Sequence, residues 1–219
     1  MKAMILAAGR GDRLRPLTDA TPKPLIKVAG KSLIEYHLTN LASAGFKEII
    51  INTAWLAEKI HTELGDGSNY GVTITYSDEG EALETAGGII HALPLLGDEP
   101  FLVINGDIWC DFEFSNLPTI NVNVLAHLIL VKNPQHNATG DFALQTGLVR
   151  NTGDIMYTYS GIGIYQTDFF KNQASGRVAL GSVIREKNDN NLVSGQLHHG
   201  RWTDVGTLER LQVLKKELS

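Results

Sequence analysis

With a single cysteine in 219 residues, Cys110, the chain has no internal disulfide and no cysteine-based zinc site, and a reducing cytoplasm is its expected location. Long hydrophobic runs are also missing. None approaches the ~20 residues that a membrane-spanning helix needs, so no membrane association is expected. Positive charge is in short supply: 19 lysines and arginines against 24 aspartates and glutamates give a net charge of −5. Nucleic acid is therefore not an expected partner, and a polyanionic ligand would have to be met by a local cluster of cations. The apolar part of the opening MKAMILAAGRGDR is too short for a signal peptide and runs at once into Gly9, Gly11 and two arginines, so it reads as a buried first strand. No internal repeat occurs, and no hexapeptide repeat that would build a left-handed β-helix at the C-terminus. What remains is ordinary globular composition, 43% hydrophobic and 20% charged, expected to fold as one domain over residues 1–219.

Apolar runs alternate with helical patterns through the first half. Met4–Ala7, Ile49–Asn52, Phe101–Asn105 and His127–Val131 read as strands buried on both faces, the pattern of a parallel sheet covered by helices. Between them Ser32–Ala44 has Ile34, Leu38 and Leu41 at helical spacing, a Ser32/Glu35 capping box and Gly45 as its stop. Ala54–Leu64, ended by Gly65, and Thr85–Leu95 read as two further helices. This alternation predicts an α/β doubly wound fold. After residue 131 the pattern changes to short strands, Asp141–Arg150 and Asp154–Tyr165, around turn residues 151–153. Weaker helices are expected near Thr167–Ala174 and Leu180–Lys187, and an amphipathic one over Thr207–Leu218.

The most informative segment is Leu6–Thr18, LAAGRGDRLRPLT. Glycines at 9 and 11 let backbone N–H groups turn toward phosphate oxygens, and Arg10, Arg13 and Arg15 add positive charge at the carboxyl end of a parallel strand, where open α/β sheets bind ligands. The segment is not a dinucleotide fingerprint, because residue 14 is leucine where the third glycine belongs. Nor is Gly30-Lys31-Ser32 a P-loop, because residue 25 is leucine as well. Lys23, set between Pro22 and Pro24, sits on a stiffened loop and is either a ligand-facing charge or a solvated lysine. Asp107 follows FLVIN through Gly106, and Asp204 lies in RWTDVGT just before the last helix. Both suit Mg²⁺, a hard cation that takes one or two carboxylates plus phosphate oxygens and water. Asp107 has the alternative of capping the strand end, and Asp204 that of capping the helix.

Taken together, LAAGRGDRLRPLT, TPKPL, LETAGGI (83–89), VINGD (103–107) and WTDVGT (202–207) resemble the sugar-1-phosphate nucleotidyltransferase family across nearly the whole chain and in the family's order. The segments GDFAL, YSGIGIY and DVGTLERL, with the compact length, point within it to a uridylyl-transferring branch of cell-wall recycling. The Glu-Lys-Pro segment of thymidylyl-transferring relatives, whose lysine meets the sugar phosphate, is absent. The resemblance implies a Rossmann-like, GT-A-like fold with a mostly parallel sheet and a small β-rich sugar-binding part. Residues 1–131 would then be mainly nucleotide-binding, and 132–219 mainly sugar-binding plus the C-terminal helix.

It implies further that a nucleoside triphosphate and a sugar 1-phosphate are the partners, that Mg²⁺ on Asp107 and Asp204 is the cofactor, and that the protein acts as a monomer or small homo-oligomer. Arg13 would meet the β/γ-phosphates and Lys23 the α-phosphate, with Ala7, Ala8, Gly9, Gly11 and Asp12 lining the nucleotide. Glu79 and Gly80 stand where the base is read; the carboxylate suits uracil N3–H, and also the paired donors of guanine. Asn52 is either a nucleotide contact or structural. Asn105, Gly140 and Asp141 are the sugar-side candidates, Asn105 with the alternative of a satisfied strand-end amide. The competing reading is a guanylyltransferase or other nucleotidyltransferase acting on a hexose or heptose 1-phosphate; a further one is a catalytically silent sensor on the same fold, against which Arg13, Lys23, Asp107 and Asp204 all count.

Overall fold

The computed structural model describes residues 1–120 and 123–219. In the first half, β1 (Ala3–Leu6), α1 (Leu17–Ala20), β2 (Lys27–Val28), β3 (Lys31–Ser32), α2 (Leu33–Ser43), β4 (Glu48–Thr53), α3 (Ala57–Leu64), β5 (Thr73–Asp78), α4 (Glu84–Leu96), β6 (Phe101–Asn105) and β7 (Ile108–Cys110) follow one another. The second half contributes β8 (Ala126–Val131), β9 (Phe142–Gln145), β10 (Leu148–Arg150), β11 (Met156–Tyr165), α5 (Leu180–Asn188), β12 (Val193–Leu197), β13 (Trp202–Asp204) and α6 (Leu208–Glu217). Nine strands form one sheet in the order β5-β4-β1-β6-β11-β8-β12-β10-β9, so both halves share a single layer.

The two-residue period of β1 shows why helices cover both faces. Ala3 and Ile5 pack with Ile34, Leu38 and Leu41 of α2 and Ile60 and Leu64 of α3. Met4 points the other way, with Ala86, Ile89 and Ala92 of α4 and Val183 and Ile184 of α5. Each fully buried Leu or Ile contributes about 1.5–3 kcal/mol, and both faces hold many of them. A third cluster packs Leu211 and Leu214 of α6 onto Leu14, Ile26, Val28 and Leu33, which brings the C-terminal helix over the glycine-rich loop.

Strands β5, β4, β1 and β6 run parallel, as the apolar runs predict. Beyond β6 the pairing is mainly antiparallel: β11 opposes both β6 and β8, and β10 opposes β9 and β12, while β12 is parallel to β8. In the β9–β10 pair the connection requires this direction, because a tight turn can join only antiparallel neighbours. The expected strand over 141–150 is in fact the β9–β10 hairpin. Thr146 (φ 49) and Gly147 (φ 78) both take positive φ, the geometry of a two-residue hairpin turn.

Other boundaries shift for local reasons. The capping box of α2 is present in both directions, Ser32 with Glu35. Helix α3 begins three residues later than expected, because Leu56 adopts φ 52 ahead of it. The helix expected at 167–174 is only a single turn, Thr167–Phe170. Strands β5, β7, β12 and β13 were not anticipated. In β12 the hydrophobic signal is broken by Gly195, whose missing side chain admits its neighbours: a Cβ there would lie 2.8 Å from Val149 Cγ2. No helix among the described residues is long and apolar enough to cross a membrane.

Candidate active site

A cleft of about 520 Å³ opens at the carboxyl ends of β1, β4 and β6. Ala7, Ala8, Gly9, Gly11, Asp12, Arg13, Lys23, Asn52, Glu79, Asn105 and Asp107 all line it, which brings together most of the residues singled out from the sequence. Two glycines make this convergence possible. Gly11 has φ 72, and its carbonyl accepts from Leu14 N and Thr18 Oγ1, both at 2.9 Å, so the loop folds back on itself. Gly106 lies so close to β1 that a Cβ would come within 2.6 Å of the Leu6 carbonyl oxygen. That contact sets where Asp107 enters the cleft.

The three arginines of the loop separate into two kinds. Arg10 pairs with Asp12 at 3.2 Å and Asp19 at 3.6 Å and stacks 4.2 Å over the Trp55 ring; Arg15 pairs with Asp19 at 2.9 Å. Their charge is spent on the loop itself, and Asp12, expected at the nucleotide, is engaged with Arg10. Arg13 is exposed, lines the cleft and has no ion-pair partner among the described residues. Lys23 is not a solvated lysine: it is only 8% exposed and its Nζ meets Asp107 Oδ2 at 2.5 Å.

On the β4–β5 side, Asn52 is buried and bonded through both ends of its amide. Its Oδ1 accepts from Ala7 N at 2.8 Å, and its Nδ2 donates to Glu79 Oε1 at 2.5 Å. Glu79 Oε2 accepts in turn from Leu83 N at 2.8 Å. This chain of bonds ties the glycine loop, β4 and the start of α4 into one wall. Small residues of α4 let it form: a Cβ on Gly88 would lie 2.4 Å from Glu79 Oε1 and 2.7 Å from Asn52 Nδ2, and one on Gly87 would lie 2.1 Å from the Gly176 carbonyl oxygen. The LETAGGI segment is thus a set of close approaches. Two amides early in α4 are taken up within the protein, since Ala86 N and Gly87 N both donate to Val178 O.

The β7–β13 ladder joins the two carboxylates. Asp204 is registered opposite Ile108, and Val205 N donates to the Asp107 carbonyl at 2.8 Å, so Asp107 and Asp204 lie within one residue of each other across the pair. Helix capping does not explain Asp204, because the cap of α6 is Thr207, whose side chain accepts from Arg210 N. Among the described residues no group of three or more His, Cys, Asp or Glu side chains could hold a metal by itself. Asp107 in the cleft lining and Asp204 next to the lining residue Gly206 are hard carboxylate donors that still fit Mg²⁺, which completes its shell with phosphate oxygens and water. Behind Asp107, His37 Nε2 lies 2.9 Å from the Ile108 carbonyl oxygen, and burial pushes its ring down to about 4, so it is a neutral brace.

Four expected residues lie outside the cleft lining, among them Asp204, whose neighbour Gly206 does line it. Gly80 is exposed at the rim. Gly140 and Asp141 belong to a separate network, in which Asp141 Oδ2 accepts from Tyr159 N at 2.9 Å and Oδ1 from Asn137 Nδ2 at 3.1 Å. They shape the loop opposite the β11 bulge, where the register slips between Tyr159 and Ile162. Asn105 does reach the cleft, packed against Gly161 (φ 83), where any Cβ would come 2.6 Å from Asn105 Nδ2. Sequence reasoning missed Leu6, Pro24, Ala82, Glu84, Thr85 and Gly206 as lining residues. All six lie inside or next to the quoted motifs, so the motifs themselves were the available signal.

A nucleotidyl transferase family model matches residues 2–140. N-acetylmuramate alpha-1-phosphate uridylyltransferase of Neisseria meningitidis serogroup B is 55% identical over 97% of this chain and 96% of its own. The protein of the same name from Caulobacter vibrioides is 33% identical over 93% of this chain and 91% of its own. Among solved structures, a putative glucose-1-phosphate thymidylyltransferase from Bacillus anthracis, crystallised with sucrose, superposes with a TM-score of 0.86 at 23% identity, covering 100% of this chain and 95% of that one. HddC from Yersinia pseudotuberculosis gives 0.81 at 19% identity, over 100% of this chain and 99% of its own. At these identities the two structures speak for the fold alone.

Proposed function

Since this chain belongs to the nucleotidyl transferase family, we propose that it transfers the uridylyl group of UTP to N-acetylmuramate 1-phosphate and releases pyrophosphate, in the cytoplasm, as a step of cell-wall recycling. The observation that carries this reading is the 55% identity extending over 97% of the chain to an enzyme with that name. Relatives named as guanylyltransferases match only about half of the chain; one from Drosophila melanogaster is 40% identical over 56% of it. The guanylyl alternative therefore has less support.

The site chemistry accords with such a reaction. A sugar-phosphate oxygen is anionic at neutral pH, so it can attack the α-phosphorus in line without a protein base. The protein's task is to hold two polyanions together and to offset charge on the departing pyrophosphate. Arg13, the loop arginine left without a carboxylate among the described residues, would meet the β- and γ-phosphates. Lys23, anchored by Asp107, would meet the α-phosphate and the attacking group. Asn52 and Glu79 fix the Ala7 amide and the base-side wall. Asn105 is offered to the sugar. Asp107 and Asp204 would hold Mg²⁺, which when bound neutralises phosphate charge at the reacting centre.

Pyrophosphate release measured across four nucleoside triphosphates and several sugar 1-phosphates tests the assignment. UTP with N-acetylmuramate 1-phosphate is expected to dominate, EDTA to abolish turnover and Mg²⁺ to restore it. Preference for GTP with a hexose or heptose 1-phosphate would replace the uridylyl reading, and full rate in metal-free buffer would remove the metal role of the two aspartates.

A further inference from the structure

Helix α6 breaks a local rule at its first turn. Thr207 is the N-cap and accepts from the amide of Arg210, which makes Arg210 the N3 residue. N3 is where Glu or Gln completes a capping box, and where the helix dipole disfavours a cation. The Arg210 side chain is only 16% exposed, and its Nε is buried without a partner among the described residues. Helix stability alone does not account for arginine here; its one strong contact does. Arg210 Nη1 donates to Asp204 Oδ1 at 3.0 Å, and His136 Nε2 stands 2.9 Å from the same oxygen. Gly206 makes the reach possible, since a Cβ there would lie 2.0 Å from Arg210 Nη2. The other oxygen, Asp204 Oδ2, would be 2.9 Å from that same Cβ, so it lies on the side of Gly206, and Gly206 lines the cleft.

We infer that Arg210 is a positioning residue. Assisted by His136, it pins Asp204 through Oδ1 and thereby presents Oδ2 to the metal and phosphates. Local rule-breaking paid for by a contact to a functional carboxylate marks a site residue rather than a stability device. The inference rests on the metal role proposed for Asp204, and its chemistry is orientational: a carboxylate free to rotate loses the pre-set geometry that a hard cation requires.

The test is Arg210→Gln, which removes the charge and installs a residue favoured at N3, with Arg210→Lys beside it. Apo melting of Arg210→Gln should stay near wild type or rise. Its affinity for Mn²⁺–UTP, followed by water-proton relaxation, should fall about tenfold, the scale of losing a support to a metal ligand. The Mg²⁺ concentration for half-maximal turnover should rise in parallel, with a smaller effect on kcat at saturating Mg²⁺, and Arg210→Lys should recover part of both. Mn²⁺–UTP affinity within twofold of wild type would overturn the inference, and so would a lower melting temperature with unchanged metal binding, which would leave Arg210 as a structural ion pair. The binding measurement needs no turnover, so it judges Arg210 separately from the uridylyl-transfer reading. Failure of that reading would show instead as wild-type protein that binds Mn²⁺–UTP and releases no pyrophosphate.

Discussion

Replacing Gly88 by alanine sets helix propensity directly against site geometry. Gly88 lies in the interior of α4, where alanine is favoured over glycine by about 1 kcal/mol. On propensity alone the variant should be more stable. The new Cβ, however, would lie 2.4 Å from Glu79 Oε1 and 2.7 Å from Asn52 Nδ2. Both atoms would have to retreat by roughly 1 Å to reach van der Waals contact. They belong to a buried hydrogen bond with a carboxylate, and such a bond contributes about 1.5–3 kcal/mol. Loss of the bond outweighs the propensity gain, for a net destabilisation of about 1–2 kcal/mol and a fall in Tm on the order of 5 °C. Because Asn52 also holds the Ala7 amide, the KM for UTP should rise severalfold. Gly181, in the first turn of α5 with nothing within 4 Å of its would-be Cβ, is the control. Gly181→Ala should be neutral or stabilise by up to about 1 kcal/mol and leave KM unchanged. Thermal melts and UTP saturation curves of the two variants decide the matter. A Gly88→Ala protein at least as stable as wild type, with unchanged KM, would refute the reasoning.

Arg13→Ala should lower kcat on the order of 10²-fold with a smaller effect on KM, and Arg13→Lys should recover only part, since lysine lacks the planar fork; an unchanged kcat would return Arg13 to a solvated loop. Stability should fall with acid through His37. The buried ring is depressed to about 4, so between there and the ordinary histidine range only the unfolded chain binds its proton. Stability then rises with pH, and lowering the pH from about 6.5 toward about 4 should cost up to about 1.4 kcal/mol per unit from this group; His37→Gln, which keeps a donor for Ile108 O, should flatten that slope in urea titrations, and an unaltered slope would exclude His37 as its source.

How much of the fold could be read in advance depended on whether burial left a periodic trace. Strands β1, β4 and β6 are covered on both faces, so their apolar runs are continuous and were legible to within a residue or so. Strand β5 sits at the sheet edge with alternate residues exposed, and β12 is interrupted by a packing glycine, so neither carries such a run. The Thr146–Gly147 turn split an expected strand because threonine in a positive-φ position gives little warning. Capping, by contrast, is local chemistry, and the Ser32/Glu35 box was fully legible.

The site followed the same division. Backbone-driven features were readable: a glycine loop after β1, an aspartate after β6, a lysine on a proline-stiffened loop. Side-chain pairing was not, because partners lie far apart in sequence. Nothing near residue 10 indicates that Trp55 and Asp19 take up Arg10, or near residue 141 that Tyr159 and Asn137 occupy Asp141. The cation arrangement has a consequence for the order of events. Asp107 pairs with Lys23, and Asp204 with Arg210 and His136. Two neighbouring carboxylates are thereby neutralised, so a free divalent ion gains little by entering alone. A metal arriving with a triphosphate brings anionic oxygens to which Lys23 can turn, which frees Asp107 for the ion, while Arg210 keeps its hold on Asp204 Oδ1 and leaves Oδ2 to the metal. Nucleotide and metal should therefore bind as a unit in this cleft, each weak without the other.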